Sequence, residues 1–258
     1  MEKLQQIDLK KAYTIYKERF ADANGFTFVF VGSFSVDSIK PLLEKYLGAL
    51  PSGGKATQAK NLKIRIPGGQ ISRTVFKGSE VKASVQLVFS GTYEHSQKNN
   101  LDLKALKEVL EIRLLERLRE EEGGVYTPSA RVSGVKYPES VYTLGISFGC
   151  SPQNVDRLIA SALDEVEKLK SDGPSQVNVD KFIAEDRLQR ETAVSTNGYW
   201  LTYLSNCLQN GEEFNMMNSY PKLLEAVNAE TVRKSAIKYL SGANLLRFVL
   251  LPEVAIKK

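Results

Sequence analysis

Leu118-Arg119-Glu120-Glu121-Glu122-Gly123-Gly124-Val125-Tyr126-Thr127-Pro128 joins the clearest helical pattern of the chain to a pair of strand patterns. Upstream of it, Leu103, Leu106, Leu110, Leu114 and Leu118 recur at steps of three or four, the apolar stripe of a helix over Asn99 to Glu122. Gly123-Gly124 is a strong C-terminal stop, because glycine adopts the left-handed cap without a Cβ penalty. Downstream, Val125 to Val135 and Ser140 to Cys150 read as two strands of a hairpin joined through Lys136-Tyr137-Pro138-Glu139. Ahead of the helix, in Lys82 to Thr92, Ala83, Val85, Leu87 and Phe89 alternate with Ser84, Gln86, Val88 and Ser90, the pattern of a half-buried antiparallel strand. Strand, helix and hairpin in this order predict an α+β fold, one mainly antiparallel sheet covered by helices.

The flanking sequence extends that reading. Leu9, Ala12, Tyr13, Tyr16 and Phe20 mark a lead-in helix within residues 1–22, with Asp8 as its candidate N-cap. Asn24-Gly25 breaks the chain before Phe26 to Phe34, whose aromatic and β-branched residues have the composition of a buried strand. Ser35 or Asp37 can cap the next helix, striped by Ile39, Leu42, Leu43, Tyr46 and Leu47 and ended by Gly48 and Pro51. Residues 52–62 read as a flexible surface loop, followed by a strand around Arg73 to Lys77. Ser151 and Pro152 open a helix running to about Lys170, so a strand followed by a Ser-capped helix occurs twice. Helices at about Val177 to Val194, Tyr199 to Gln209, Tyr220 to Val227 and Ala229 to Leu240 precede a last strand, Leu245 to Leu251. A length of 258 residues is within reach of one large domain, which is the expected organisation.

Composition narrows the function. With 42% apolar and 25% charged residues the chain is neither disordered nor membrane-embedded, and Phe26 to Phe34 is far shorter than the ~20 residues that cross a bilayer. The net charge of +5 is scattered without a basic stripe, which argues against nucleic-acid binding. The N-terminus has no apolar signal core, so an export signal of a parent chain would lie upstream and the compartment stays open. Cys150 and Cys207 follow no zinc or redox spacing, and whether they pair depends on the fold. The single histidine, His95, has no second histidine or suitably spaced acid and reads as an exposed loop residue.

Three separated pieces resemble the second domain in a half of the pitrilysin-type zinc peptidases, the group of insulin-degrading enzyme and the mitochondrial processing peptidases. The first runs from Tyr16-Lys17-Glu18-Arg19-Phe20 through Phe28-Val29-Phe30-Val31-Gly32 to Leu42 to Pro51. The second, Arg117 to Tyr126, is similar to the arginine-and-tyrosine element of that family. The third is Ala229 to Leu240 with its following strand and Leu251-Pro252-Glu253. The resemblance implies the mitochondrial-processing-peptidase-like metallohydrolase fold and a zinc-free, C-terminal domain. Zinc in that family is held by an inverted H-x-x-E-H motif, which one histidine cannot make. The metal is therefore expected in a partner domain, upstream in the same chain or on another subunit, with no cofactor in this one.

By the same resemblance Arg119 and Tyr126 reach across a closed chamber toward that zinc, with a peptide as substrate. Tyr126 would donate to a peptide carbonyl or the developing oxyanion, and Arg119 would hold a substrate carbonyl or the tyrosine. Taken alone, Arg119 is a cation in the last turn of a helix, where the dipole favours it by about 0.3–1 kcal/mol. Tyr126 shares the parity of Ala130 and Val132 and reads equally as a core aromatic. Tyr199, Trp200 and Tyr203 sit at helical spacing and read as packing. The alternative function is a catalytically inactive polypeptide-binding scaffold of the same fold. An unrelated α+β binding module would require three ordered matches to coincide.

Overall fold

The computed structural model of the chain describes residues 3–54, 60–125 and 127–253. Tyr126 and the 55–59 part of the expected loop lie outside the described residues. The chain divides into two compact units, Met1–Lys60 with Thr196–Ser205, and Asn61–Ser195 with Asn206–Lys258.

In the first unit, α1 spans Leu9–Phe20 and α2 spans Val36–Tyr46. Asp8 caps α1 as the sequence predicts, its Oδ1 accepting from the Lys10 and Lys11 N–H groups at 2.9 and 3.1 Å. Neither helix buries a residue. The expected buried strand at Phe26 to Phe34 is absent: the segment makes no ladder, and Phe26, Phe28, Phe30 and Phe34 are 42–47% exposed. Strand-like composition needs a neighbouring strand to receive its N–H and C=O groups, and none pairs with it among the described residues. Tyr199, Trp200 and Tyr203 pack on one another, with ring centroids 5.5–6.3 Å apart.

The second unit is built on a five-stranded sheet of β1 (Gln70–Phe76), β2 (Ala83–Thr92), β3 (Ser129–Val135), β4 (Val141–Cys150) and β5 (Leu245–Leu251). The strand order is β1-β5-β2-β4-β3. β1 runs parallel to β5, and the β5-β2, β2-β4 and β4-β3 pairs are antiparallel. The sheet is thus mixed but mainly antiparallel, and β3-β4 is the expected hairpin. Its residues alternate as read: Ala83, Val85, Leu87 and Phe89 of β2 are 0–2% exposed, while Ser84 and Gln86 face outward.

Helices α3 (Gln97–Leu114), α4 (Val155–Ser171) and α8 (Ala229–Tyr239) cover the inner face, and α5 (Gln176–Ala193) and α7 (Tyr220–Glu225) extend the layer. Another helix, α6, spans Asn197–Asn210. The leucine stripe from Leu103 to Leu118 is buried against the sheet, every member at 0–2% exposure. Cys150 and Cys207 are both buried free thiols.

Tyr93, Tyr142 and Tyr239 form an aromatic cluster between β2, β4 and α8, with Tyr142 and Tyr239 rings edge to face at 4.9 Å. Glycine makes room for it: a Cβ at Gly134 would lie 2.5 Å from the Tyr93 ring. Burial, then the charge of Asp102, pushes the Tyr239 phenol up to about 12 from its ordinary 10.0. Burial likewise raises Tyr93 and Tyr142. The unfolded chain therefore loses these protons first, so stability is full below about pH 10 and declines as pH rises through about 12. The Tyr239 hydroxyl is buried without a partner among the described residues, whereas Tyr93 Oη donates to Asn100 Oδ1 at 2.6 Å. Tyr239→Phe is expected to leave neutral-pH stability unchanged or slightly raised and to flatten the alkaline decline. Urea midpoints measured from pH 8 to 12 check both, and a large loss at pH 8 would contradict the assignment.

Candidate functional site

The helix of α3 does not stop at Leu114 but widens into a π-helical segment, Leu115–Glu121. Glu122 N–H donates to the Arg117 carbonyl five residues back, and Gly124 N–H donates to Leu118, both at 3.2 Å. Gly123 takes φ +61°, the left-handed turn expected of a glycine cap. Gly124 answers a different demand, since a Cβ there would meet Leu158 Cδ2 at 2.9 Å. Gly124→Ala must displace the fully buried Leu158, and a loss of about 1–3 kcal/mol in urea unfolding is expected, against about 1 kcal/mol for Gly123→Ala. Equal stability of Gly124→Ala and wild type would show that α4 yields freely there. Past the glycines, Val125 bridges Cys150 and returns the chain to the sheet.

Of Arg113, Arg117, Arg119 and Arg157, three are tied down. Arg113 Nε donates to the buried Glu165 carboxylate at 2.9 Å. Arg117 pairs with Glu121 at 2.6 Å, and Arg157 pairs with Glu122. Arg119 is exposed, and its side chain makes no hydrogen bond or ion pair among the described residues. Tyr126 lies outside the described residues, between buried Val125 and exposed Thr127.

Val125 also helps line an open cleft of about 590 Å³, walled by Lys82, Gly123, Gly124, Gly149 and Cys150. Three of those walls are glycines, so the cleft presents backbone to an entering group, with Lys82 as its cation. Burial raises the Cys150 thiol, which keeps it protonated and poorly nucleophilic near neutral pH. Sequence reading singled out Gly123 and Gly124 as a helix stop but missed Lys82 and Gly149, which only strand pairing brings beside them.

His95 is not the exposed loop residue that its sequence context suggests. Its side chain is 8% exposed, with Nδ1 3.1 Å from Glu212 Oε1 and the ring edge-on to Tyr93. Glu212 is far along the chain, so no local pattern signals the pairing. Among the described residues no group of three or more His, Cys, Asp or Glu side chains converges to hold a metal. No helix among them is long and apolar enough to cross a membrane.

Residues 6–185 match the family model of the peptidase M16 inactive domain. The chain belongs to this family. The M16 match includes the Leu118–Pro128 turn, and of the three pieces carrying the pitrilysin-type resemblance the first two lie within the matched residues. Among relatives, a zinc protease PQQL-like protein of Arabidopsis thaliana is 27% identical over 213 residues, covering 77% of this chain and 22% of that protein. The periplasmic protease PqqL of Escherichia coli shares the fold, with TM-score 0.74 at 21% identity over 86% of this chain and 24% of that one. A protease from Helicobacter pylori superposes with TM-score 0.73 at 16% identity, over 86% of this chain and 54% of that one. The chain thus spans about a fifth of the length of the curated relatives it matches. This M16 inactive domain belongs to a zinc protease family, and its neighbours are domains of larger M16 proteases.

Proposed function

We propose that this M16 inactive domain is the substrate side of a zinc metalloendopeptidase, closing a peptide-binding chamber against zinc held by another domain. The observation that carries the reading is Arg119, which is exposed and unpaired among the described residues, while Arg113, Arg117 and Arg157 are paired with glutamates. A planar fork of donors without a partner among the described residues would hold a substrate carbonyl or the Tyr126 hydroxyl. Tyr126 would in turn donate to the oxyanion that forms when the peptide carbonyl is attacked. Both roles supplement a metal-activated water, so the chain alone hydrolyses no peptide. The zinc-bearing half would be upstream in the same polypeptide or on a partner subunit.

The sheet supports a peptide partner. Among the described residues β1 pairs only with β5 and β3 only with β4, so each offers an edge to an extended chain. Such main-chain pairing tolerates many side chains, and β3 begins three residues after Tyr126. A quenched peptide assayed with this chain, with the zinc-loaded full-length protein and with its Arg119→Ala variant tests the reading. Hydrolysis by the full-length protein that does not respond to Arg119→Ala or Tyr126→Phe would leave a polypeptide-binding scaffold as the better description of this domain.

A further inference from the structure

Arg119 sits in the π-helical segment Leu115–Glu121, a rare form that occurs mostly as single widened turns. The hydrogen bonds that close it run from the Glu122, Gly123 and Gly124 N–H groups to the carbonyls of Arg117, Arg119 and Leu118. Each is 3.2 Å, at the long end of the ordinary range. Relaxing a widened turn to α spacing absorbs one residue and would rotate the chain beyond it by about 100° around the helix axis. Where Arg119 stands therefore depends on what holds this turn.

One carboxylate ties it to the neighbouring helix. The Glu122 side chain is 10% exposed, its Oε1 lies 3.3 Å from Arg117 Nε, and its Oε2 accepts from Arg157 Nη1 on α4. Arg117 Nη1 also holds Glu121 at 2.6 Å, so charges of opposite sign alternate through Glu121, Arg117, Glu122 and Arg157. Among the described residues no other side chain from Arg119 to Gly124 makes a polar contact beyond its own helix. Leu158, next to Arg157, seats Gly124: a Cβ there would lie 2.9 Å from Leu158 Cδ2 and 3.4 Å from Arg157 Nη2. The polar and the apolar hold on the turn thus fall on the same turn of α4. We propose that Glu122 and Arg157 are positioning residues, an ion pair that moors the π-helical turn to α4 and so fixes the backbone from which Arg119 projects. The proposal rests on the reading of Arg119 as a donor to substrate.

The exposure of the two partners separates placement from stability. The Arg157 side chain is 51% exposed, and an ion pair with a half-exposed partner adds little to the stability of the whole fold. Removing Arg157 also strands no buried charge, since Glu122 keeps Arg117 beside it. The effect is therefore felt as misplacement, and a catalytic group displaced by about 1 Å loses up to about a hundredfold in rate.

In the zinc-loaded full-length protein, Arg157→Ala is expected to lower kcat about tenfold, with KM changed by less than about threefold and the urea midpoint held. Arg157→Lys keeps a cation for Glu122 and is expected to restore most of kcat. Added to Arg119→Ala, Arg157→Ala is expected to lower kcat no further, because its effect passes through Arg119. Hydrogen exchange gives a readout apart from activity. Arg157→Ala is expected to speed exchange of the Glu122, Gly123 and Gly124 amides about tenfold and to leave those of Leu103 to Leu110 unchanged. Unchanged exchange at the turn would overturn the proposal whatever the activity. Full kcat in Arg157→Ala beside a loss in Arg119→Ala would also overturn it while leaving the role of Arg119 in place. Losses that multiply in the double variant would do the same, since they would assign Arg157 an effect of its own. Full activity of Arg119→Ala would instead remove the reading of Arg119 itself, and the positioning role with it.

Discussion

Arg119→Ala in the zinc-loaded full-length protein is expected to lower kcat/KM for an extended peptide by about 10²–10³-fold, the cost of one donor aimed at transition-state charge. The loss should appear in kcat at least as much as in KM, because a donor aimed at developing charge strengthens as the carbonyl becomes tetrahedral. Stability should stay within about 0.5 kcal/mol of wild type, since the side chain is exposed and has no partner to strand among the described residues. Arg119→Lys keeps the charge but not the fork, and an intermediate rate is expected if geometry as well as charge matters. Tyr126→Phe should lose activity to a similar degree, and the double variant should lose less than the product of the two effects if Arg119 acts by holding the tyrosine. The measurement is single-turnover and steady-state hydrolysis of a quenched peptide, alongside zinc content. Full activity in both single variants would remove these residues from the chemistry.

Arg113→Met is expected to cause the largest loss of stability, about 3 kcal/mol. Glu165 is 8% exposed at its side chain and takes Arg113 Nε and Nη2, each at 2.9 Å, while Arg113 Nη1 donates to the Gly173 carbonyl at 3.2 Å. Removing one partner of a buried pair leaves a desolvated charge, which costs about 3–5 kcal/mol. The lower end applies because Lys168 stays 3.1 Å from Glu165 Oε1. Adding Glu165→Leu should restore much of the loss by removing the stranded carboxylate, and urea midpoints of the single and double variants measure both. A double variant less stable than Arg113→Met would mean that the pair holds α3 to α4 by more than charge compensation. Activity is a second readout, since Arg113 lies two turns before Arg119 and loosening α3 would move the proposed donor.

Much of this architecture is legible because it is local. The period-two alternation of Ala83, Val85, Leu87 and Phe89, the leucine stripe ending at Leu118 and the Gly123-Gly124 stop each follow from geometry within a few residues. They carry over into β2, α3 and the turn with boundaries shifted by only a few positions. The π-helical widening at Leu115–Glu121 left no such mark. Neither did the burial of His95, which depends on Glu212 arriving from another part of the chain.

Phe26 to Phe34 is the instructive failure. Its composition is that of a strand, yet a strand is a property of two segments, and this one has no neighbour among the described residues. Leu245 to Leu251, also rich in apolar residues, forms β5 because β1 and β2 flank it. Periodicity, capping residues and glycine placement let the sequence alone determine most of the elements, their order and the α+β class, while Arg119 and Tyr126 were singled out by family resemblance. Strand order, the parallel β1-β5 pair and the cleft beside Lys82 were decided by tertiary structure. Each of those rests on contacts between residues far apart in the chain, and short-range patterns carry no record of them.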